Sequence, residues 1–477
     1  MTAPNVESDA AFRVADRLKR LAAPWDVFAE RCRKYEVHLS AGRIELVRGP
    51  VQIEGYGIRV LRPHDGTISD GLQASTDFSD AGIASVTADA EANAKFTKFP
   101  ARSVELPSTV QPRAVEIADP ELWKDPAAAL DRHVTQLLHS VEQEPGTSVT
   151  FGSIKVTLSE TTLANSSGLA ASYAHAFVQS EIGILNSGGN DDSAPGEYWV
   201  VELERRLETP QLPGKVHDWA RFARDARRAG PPPNGQVPVI LPADVLEGIL
   251  PGALSFQFSG AGRLHEVSPP EGTVVGPEFL NVDDDGLIPW GVGSGPFDDE
   301  GVGQQSRQLV QHGSTKDLLC DLAYASAIGR TSTGSGFRRS QFGPPSWYRF
   351  THSLQPAQST ISIPGGSGGS DDELIEAARD GIWVQQLGWA SPSGSTTAFG
   401  GEIRIGYRIR NGKLAEPIRG GTVGGRLVTP SDQPSLFRDL VAVGRSPKLV
   451  SGVSVPSLLT KGLTVSSESA AAATASA

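Results

Sequence analysis

The chain is poor in the residues that staple a protein together or thread it through a bilayer. Its two cysteines, Cys32 and Cys320, stand far apart with no CxxC spacing. That excludes a disulfide framework and a cysteine-built zinc knuckle. No apolar run approaches the roughly 18 residues that a membrane-spanning helix requires. Positive charge is scarce as well: 43 Lys and Arg face 55 Asp and Glu, a formal net charge of -12. Nucleic acid or an anionic membrane surface would call for a basic face, so neither is expected as a partner. The pairs Arg205-Arg206, Arg227-Arg228 and Arg338-Arg339 are isolated. The opening MTAPNVESDAAFRVADRLKRL places acids early and holds no apolar core stretch, so no signal peptide is expected and the cytoplasm is the expected compartment.

What the chain does have is turns and core. Glycine (52) and proline (34) are abundant beside a hydrophobic fraction of 39%, a balance that suits a β-rich protein with buried interiors. A length of 477 residues fits two domains of ordinary size. Apolar residues at helical spacing (Phe12, Val14, Ala15, Leu18, Leu21) predict a helix from Asp9 to about Tyr35. Short β-type stretches follow at 36–40, 43–48 and 51–61, then helices at 81–96 and 120–141. Long β-type runs cover 147–159, 169–185 and 198–208, and a charged helix covers 214–228. Pro231-Pro-Pro-Asn-Gly235 is the clearest boundary. The reading is α+β: an N-terminal α+β domain over 1–230, a Pro/Gly linker over 231–236, a C-terminal β-rich domain over 237–465 and a disordered Ser/Ala/Thr tail over 466–477. In the C-terminal domain Val237–Leu241 reads as a strand and Pro242–Leu250 as a short helix with Pro at its start. In the Gly-rich, strand-rich remainder one helix is clear, Leu374–Asp380, opened by the capping box Ser370-Asp-Asp-Glu373 and closed by Gly381.

Chemistry-bearing motifs are few. A helical zinc site needs a second histidine one turn after a His-Glu pair, so that both imidazoles share a face. Gly262-Arg-Leu-His-Glu-Val-Ser-Pro-Pro270 has His265-Glu266, but Pro269 and Pro270 follow and would end such a helix. Gly365-Gly-Ser-Gly-Gly369 matches GxSxG, yet the last histidine is His352, before the serine, so a nucleophile elbow fails on order and a Gly/Ser loop is expected. Asp283–Asp285 and Asp298–Glu300 offer a hard-cation site or an acid/base pair; the favoured reading is that they cap turns through side chain to backbone bonds. Ser332-Thr-Gly-Ser-Gly-Phe-Arg-Arg339 joins a Gly-rich turn to paired guanidiniums. It either captures a carboxylate or carries solvated arginines beside a loop.

Several segments in order resemble the TldD/TldE (PmbA, modulator-of-gyrase) peptidase family. They are Glu54-Gly-Tyr-Gly-Ile-Arg-Val60, Leu163-Ala-Asn-Ser-Ser-Gly168, Phe297-Asp-Asp-Glu-Gly-Val302, Ser332-Thr-Gly334 with Arg338-Arg339, Gly381-Ile-Trp-Val384, Gly406–Gly412 and Pro417-Ile-Arg-Gly420. In that family TldD-like chains carry HExxxH and a late cysteine as zinc ligands. Here Pro270 stands where the second histidine belongs, and Val453–Val465 holds no cysteine. The resemblance therefore implies a TldE-like chain with no metal and no catalytic residue of its own. Its expected partner is a TldD-like zinc-binding subunit, in a heterodimer that cuts small or unfolded peptides at the partner's zinc. Ser332, Thr333, Gly334, Arg338 and Arg339 are the residues expected to face the peptide. Two alternatives stand beside this: a stand-alone homodimeric peptide-binding or scaffold protein, and an enzyme holding metal on Asp283–Asp285, Asp298–Glu300 and His265.

Overall fold

A computed structural model describes residues 9–64, 66–96, 101, 103–188, 194–339, 348–429 and 432–467. The N-terminal half is built on a single antiparallel six-stranded sheet of order β3-β2-β1-β4-β5-β6. Its strands are β1 (Trp25–Ser40), β2 (Arg43–His64), β3 (Thr67–Ser75), β4 (Thr147–Asn165), β5 (Ala170–Asn186) and β6 (Gly196–Glu204). The strands β1, β2, β4 and β5 are unusually long, because each pairs along nearly its whole length. The helix expected from Asp9 to about Tyr35 ends at Leu18 (α1, Asp9–Leu18), and Trp25 onward is strand. Central pairing to both β2 and β4 overrides the weak helical spacing there. The stretches 43–48 and 51–61 are likewise one strand, β2, with a register shift opposite at Lys34/Glu36.

Helices α2 (Asp80–Asn93), α4 (Pro126–Glu142) and α5 (Leu212–Ala226) fall on the stretches expected to be helical at 81–96, 120–141 and 214–228. The span 120–141 splits into α3 (Pro120–Lys124) and α4, since Asp125-Pro126 starts a new helix with Asp125 accepting from the Ala128 N–H. Helices α1 and α2 pack on Trp25, Val27, Tyr56 and Ile58. On the other side, α4 and α5 are sandwiched: their apolar faces meet Ile154, Val156 and Val178 of the N-terminal sheet, and the same cluster includes Trp383, Ile405 and Tyr407 from beyond residue 237. The two halves thus share a core.

The C-terminal half holds a nine-stranded sheet, in which Gly381–Gly388 pairs parallel to Val239–Leu241 and antiparallel to Ala398–Arg410, and a six-stranded sheet containing Val282–Asp285. The short helix expected over 242–250 forms at Ala243–Leu246 with Pro242 as its N-cap, and helices at Leu250–Gln257, Gly260–Leu264 and Leu322–Ala327 add to the expected set. The capping box at Ser370 is formed in full, but the helix closes on Arg379, at φ +56, rather than on Gly381. Gly381 instead begins a strand whose backbone lies against the Pro238 carbonyl, where a Cβ would approach to 2.3 Å. The proline-rich boundary is tied down: the Gly230 N–H donates to Pro417 O, and Gly235–Gln236 pairs with Thr464–Ser466. Ser466 and Ser467 are therefore ordered, while residues 468–477 of the expected tail lie outside the described residues. No helix among the described residues is long and apolar enough to cross a membrane.

Candidate functional site

The two halves are bolted together by ion pairs that exclude water. Asp26 on β1 accepts from Arg59 Nε (2.6 Å) and from Arg338 Nη2 (2.8 Å), and Arg59 Nη2 reaches on to Glu300 (2.9 Å). Beside them Arg349 donates to Glu30 (3.2 Å), Asp299 (3.1 Å) and Thr161 Oγ1 (2.7 Å). Arg349 gets there because Gly55 and Gly57 on β2 leave room for its neighbour: a Cβ on Gly55 would sit 2.3 Å from the Phe350 ring, and one on Gly57 2.3 Å from the Phe350 carbonyl. All these charged side chains are buried. Burial opposes the charge on Arg349, but Asp299, Tyr173 and Glu30 outweigh it and hold the guanidinium well above its ordinary pKa.

The acid run at 298–300 belongs to this seam. Asp298 accepts from the N–H groups of Glu300, Val302 and Gly336, Asp299 from the Arg338 N–H, and Glu300 from the Leu322 N–H. In the second run Asp284 accepts from the Ser359 N–H and Asp285 from the Leu287 N–H. Both runs act as turn and strand caps. Burial, then Glu300, pushes the Asp298 carboxyl far above the usual carboxylate range.

The five residues expected to face a peptide separate into four fates. Ser332 and Thr333 hold Cys320: Ser332 Oγ donates to its carbonyl (3.1 Å) and Thr333 Oγ1 accepts from its N–H (2.7 Å). Gly334, at φ +69, packs where a Cβ would lie 2.6 Å from Gly303 O. Arg338 is wholly buried in the seam, donating also to His352 O. Arg339 alone lines the large cavity. Neither arginine is solvated.

That cavity, about 940 Å³, lies between β4–β6 and the C-terminal half. Its N-terminal wall carries Lys155, Phe177, Gln179 and Trp199; its C-terminal wall carries Glu247, Gln358, Trp389 and Arg404. Trp389 is 70% exposed and meets Trp199 edge-on at 6.0 Å between ring centroids. Burial, then Asp244, pushes the Glu247 carboxyl up to about 7. Aromatic faces, side-chain amides and charges of both signs suit an extended polar chain with apolar side groups. Sequence reasoning reached only Arg339 of this wall. The others come from segments far apart in the chain, and nothing local marks them.

A zinc ion of the TldD kind does not fit these residues. His265 is exposed, one residue beyond the five-residue helix Gly260–Leu264, and does not line the cavity. Glu266 sits at φ +57, which breaks the helix before the position of a second ligand, and Pro270 occupies that position. Among the described residues no group of three or more His, Cys, Asp or Glu side chains is placed to hold a metal ion. The alternative set Asp283–Asp285, Asp298–Glu300 and His265 is accordingly not brought together.

An α+β chain of two halves, joined by a buried ionic seam and enclosing a large mixed cavity, has known relatives. Residues 234–467 match the family model described as the PmbA/TldA metallopeptidase C-terminal domain. A zinc metalloprotease TldD homolog of Saccharolobus solfataricus is 29% identical over 42% of this chain, a match that spans 43% of that relative's length. A putative modulator of DNA gyrase from Thermotoga maritima has the same fold, with a TM-score of 0.79 at 19% identity, over 96% of this chain and 99% of that one. TldE from Thermococcus kodakarensis also shares it, with a TM-score of 0.76 at 18% identity, over 95% and 100%. The chain belongs to the TldD/TldE (PmbA) peptidase family.

Proposed function

We propose that this chain is a TldE-like, non-catalytic subunit of a cytoplasmic heterodimeric zinc peptidase, and that it forms one wall of a cleft for small or unfolded peptides cut at a TldD-like partner's zinc. The observation that carries the reading is the ending of the Gly260–Leu264 helix just before His265-Glu266, with prolines at 269 and 270. A chain without a zinc helix, in a family with metalloprotease members, supports a role in positioning substrate; positioning contributes much of a rate enhancement without donating a reacting group. The cavity of about 940 Å³, lined by Trp199, Gln179 and Arg339, is the surface offered to the peptide. The test is co-expression with a TldD-like chain followed by a peptide cleavage assay. Cleavage is expected only when both chains are present. Equal rates with the TldD-like chain alone would sink the reading, and a stable homodimer with no activity beside any partner would favour a stand-alone binding protein.

A further inference from the structure

Arg339 and Arg205 are buried cations that the fold does not neutralise. Arg339 is 7% exposed and Arg205 4%. Among the described residues Arg339 makes no side-chain hydrogen bond and no ion pair; its guanidinium carbon lies over the Phe337 ring, 4.4 Å from the centroid. Arg205 lies over Phe177 (4.5 Å) and donates only to backbone: Nε to Gly291 O, and Nη2 to Val292 O and Ser294 O. Among the described residues its Nη1 has no hydrogen-bond partner, and neither has the buried Nδ1 of His175. These groups border a void of about 20 Å³, which shares Phe177, Val292, Gly293 and Arg339 with the large cavity. The void has room for about one water-sized atom.

A buried guanidinium left unpaired costs several times what a paired one does, so such groups mark a place where a ligand completes the set. The neighbouring acids do not supply the missing charge. Asp299 is taken by Arg349 and the Arg338 N–H. Burial pushes Asp284 up to about 7, which draws it toward the neutral form. A planar guanidinium fork beside a cavity fits a carboxylate better than a spherical anion, because two parallel N–H groups match its two oxygens.

We propose that Arg339 and Arg205 form an anion site at the end of the cavity that takes one carboxylate group, supplied by the free C-terminus of a short peptide. One oxygen enters the small void toward Arg205 Nη1 while the chain runs back along the cavity past Phe177. This rests on the peptide-binding reading for the identity of the ligand, but it is tested on this chain alone. Calorimetric titration with tri-alanine, tri-alanine amide, acetate and chloride separates the sources. The free acid is expected to bind about tenfold or more tighter than the amide, acetate is expected to compete with it, and Arg339→Gln is expected to erase the preference. Without ligand, Arg339→Gln is expected to melt no lower than the parent, because among the described residues the side chain it removes has no hydrogen bond or ion pair to lose and its stacking on Phe337 is offset by relief of a buried charge. Arg205→Lys keeps the charge and loses Nη1, so it must also lower the acid-over-amide ratio, and it carries the test should the first variant not fold. Equal binding of acid and amide, binding of neither, or a response to chloride without one to acetate overturns the proposal. None of these touches the subunit reading, which stands or falls on cleavage with the partner chain.

Discussion

Arg338 and Arg339 are adjacent, and both are buried at the junction of the N- and C-terminal halves, yet they belong to opposite kinds of place. Arg338 enters a closed seam in which each cation has its carboxylate: Asp26 for Arg338 and Arg59, Glu30 and Asp299 for Arg349. Arg339 enters an open wall, where cations and an acid of near-neutral pKa line an empty volume. The split falls at the end of a strand: Arg338 closes Gly336–Arg338, which pairs antiparallel with Leu354–Pro356, and Arg339 is the next residue, in a bend beyond it. The first closes the molecule and the next serves the cavity. Charge burial alone therefore does not distinguish structure from function here; completeness of pairing does.

The hardest test of that difference is removal of a seam cation. Arg349→Met leaves Glu30 and Asp299 buried without their shared guanidinium, which is expected to cost about 3–5 kcal/mol in urea denaturation. Arg339→Met strands no close carboxylate and is expected to change stability by less than about 1 kcal/mol. Equal losses would mean that the seam and the wall are one network and would break the comparison.

A smaller effect comes from Glu247 on the open wall. Its folded carboxyl is raised to about 7, first by burial and then by Asp244, from an ordinary value of 4.5. The folded chain thus holds this proton more tightly than the unfolded one, so stability falls as pH rises from about 4.5 through about 7. Glu247→Gln is expected to gain on the order of 1–2 kcal/mol at pH 8, after discounting for partial exposure, and nothing at pH 4. Paired thermal melts across that range check it. A pH-independent difference would place Glu247 with the seam's neutralised groups.

These contrasts also show what the sequence could convey. Elements with a local cause were legible: α2 as an alanine-rich stretch, α4 from its apolar spacing, α5 as a charged helix, and the capping box at Ser370 from four consecutive residues. Strand β1 was half missed, since its strand character comes from pairing with β2 and β4, more than a hundred residues apart in the case of Asp26 and Asn165. The motifs that carried the family resemblance were legible as motifs, but their work was not. Gly55 and Gly57 make room for Phe350, and Arg59 and Glu300 meet across the seam. Of the cavity wall only Arg339 could be singled out, because Glu247 and Trp199 on the wall, and Arg205 on the adjoining void, meet it only through the packing of the two halves.

The smallest effect expected concerns His265, which belongs to neither region. It is exposed, lies beyond the helix Gly260–Leu264, and makes one ring contact with Phe256 at 6.1 Å between centroids. A histidine serving as a metal ligand would donate its other ring N–H to a fixed acceptor and would face a cavity; this one has no hydrogen bond of that kind among the described residues and faces solvent. His265→Ala is therefore expected to shift urea stability by less than about 0.5 kcal/mol and to leave cleavage in a co-expressed pair unchanged. Loss of cleavage with stability intact would show that the His-Glu pair still acts at the cleft, and would move this position from the inert surface to the functional wall.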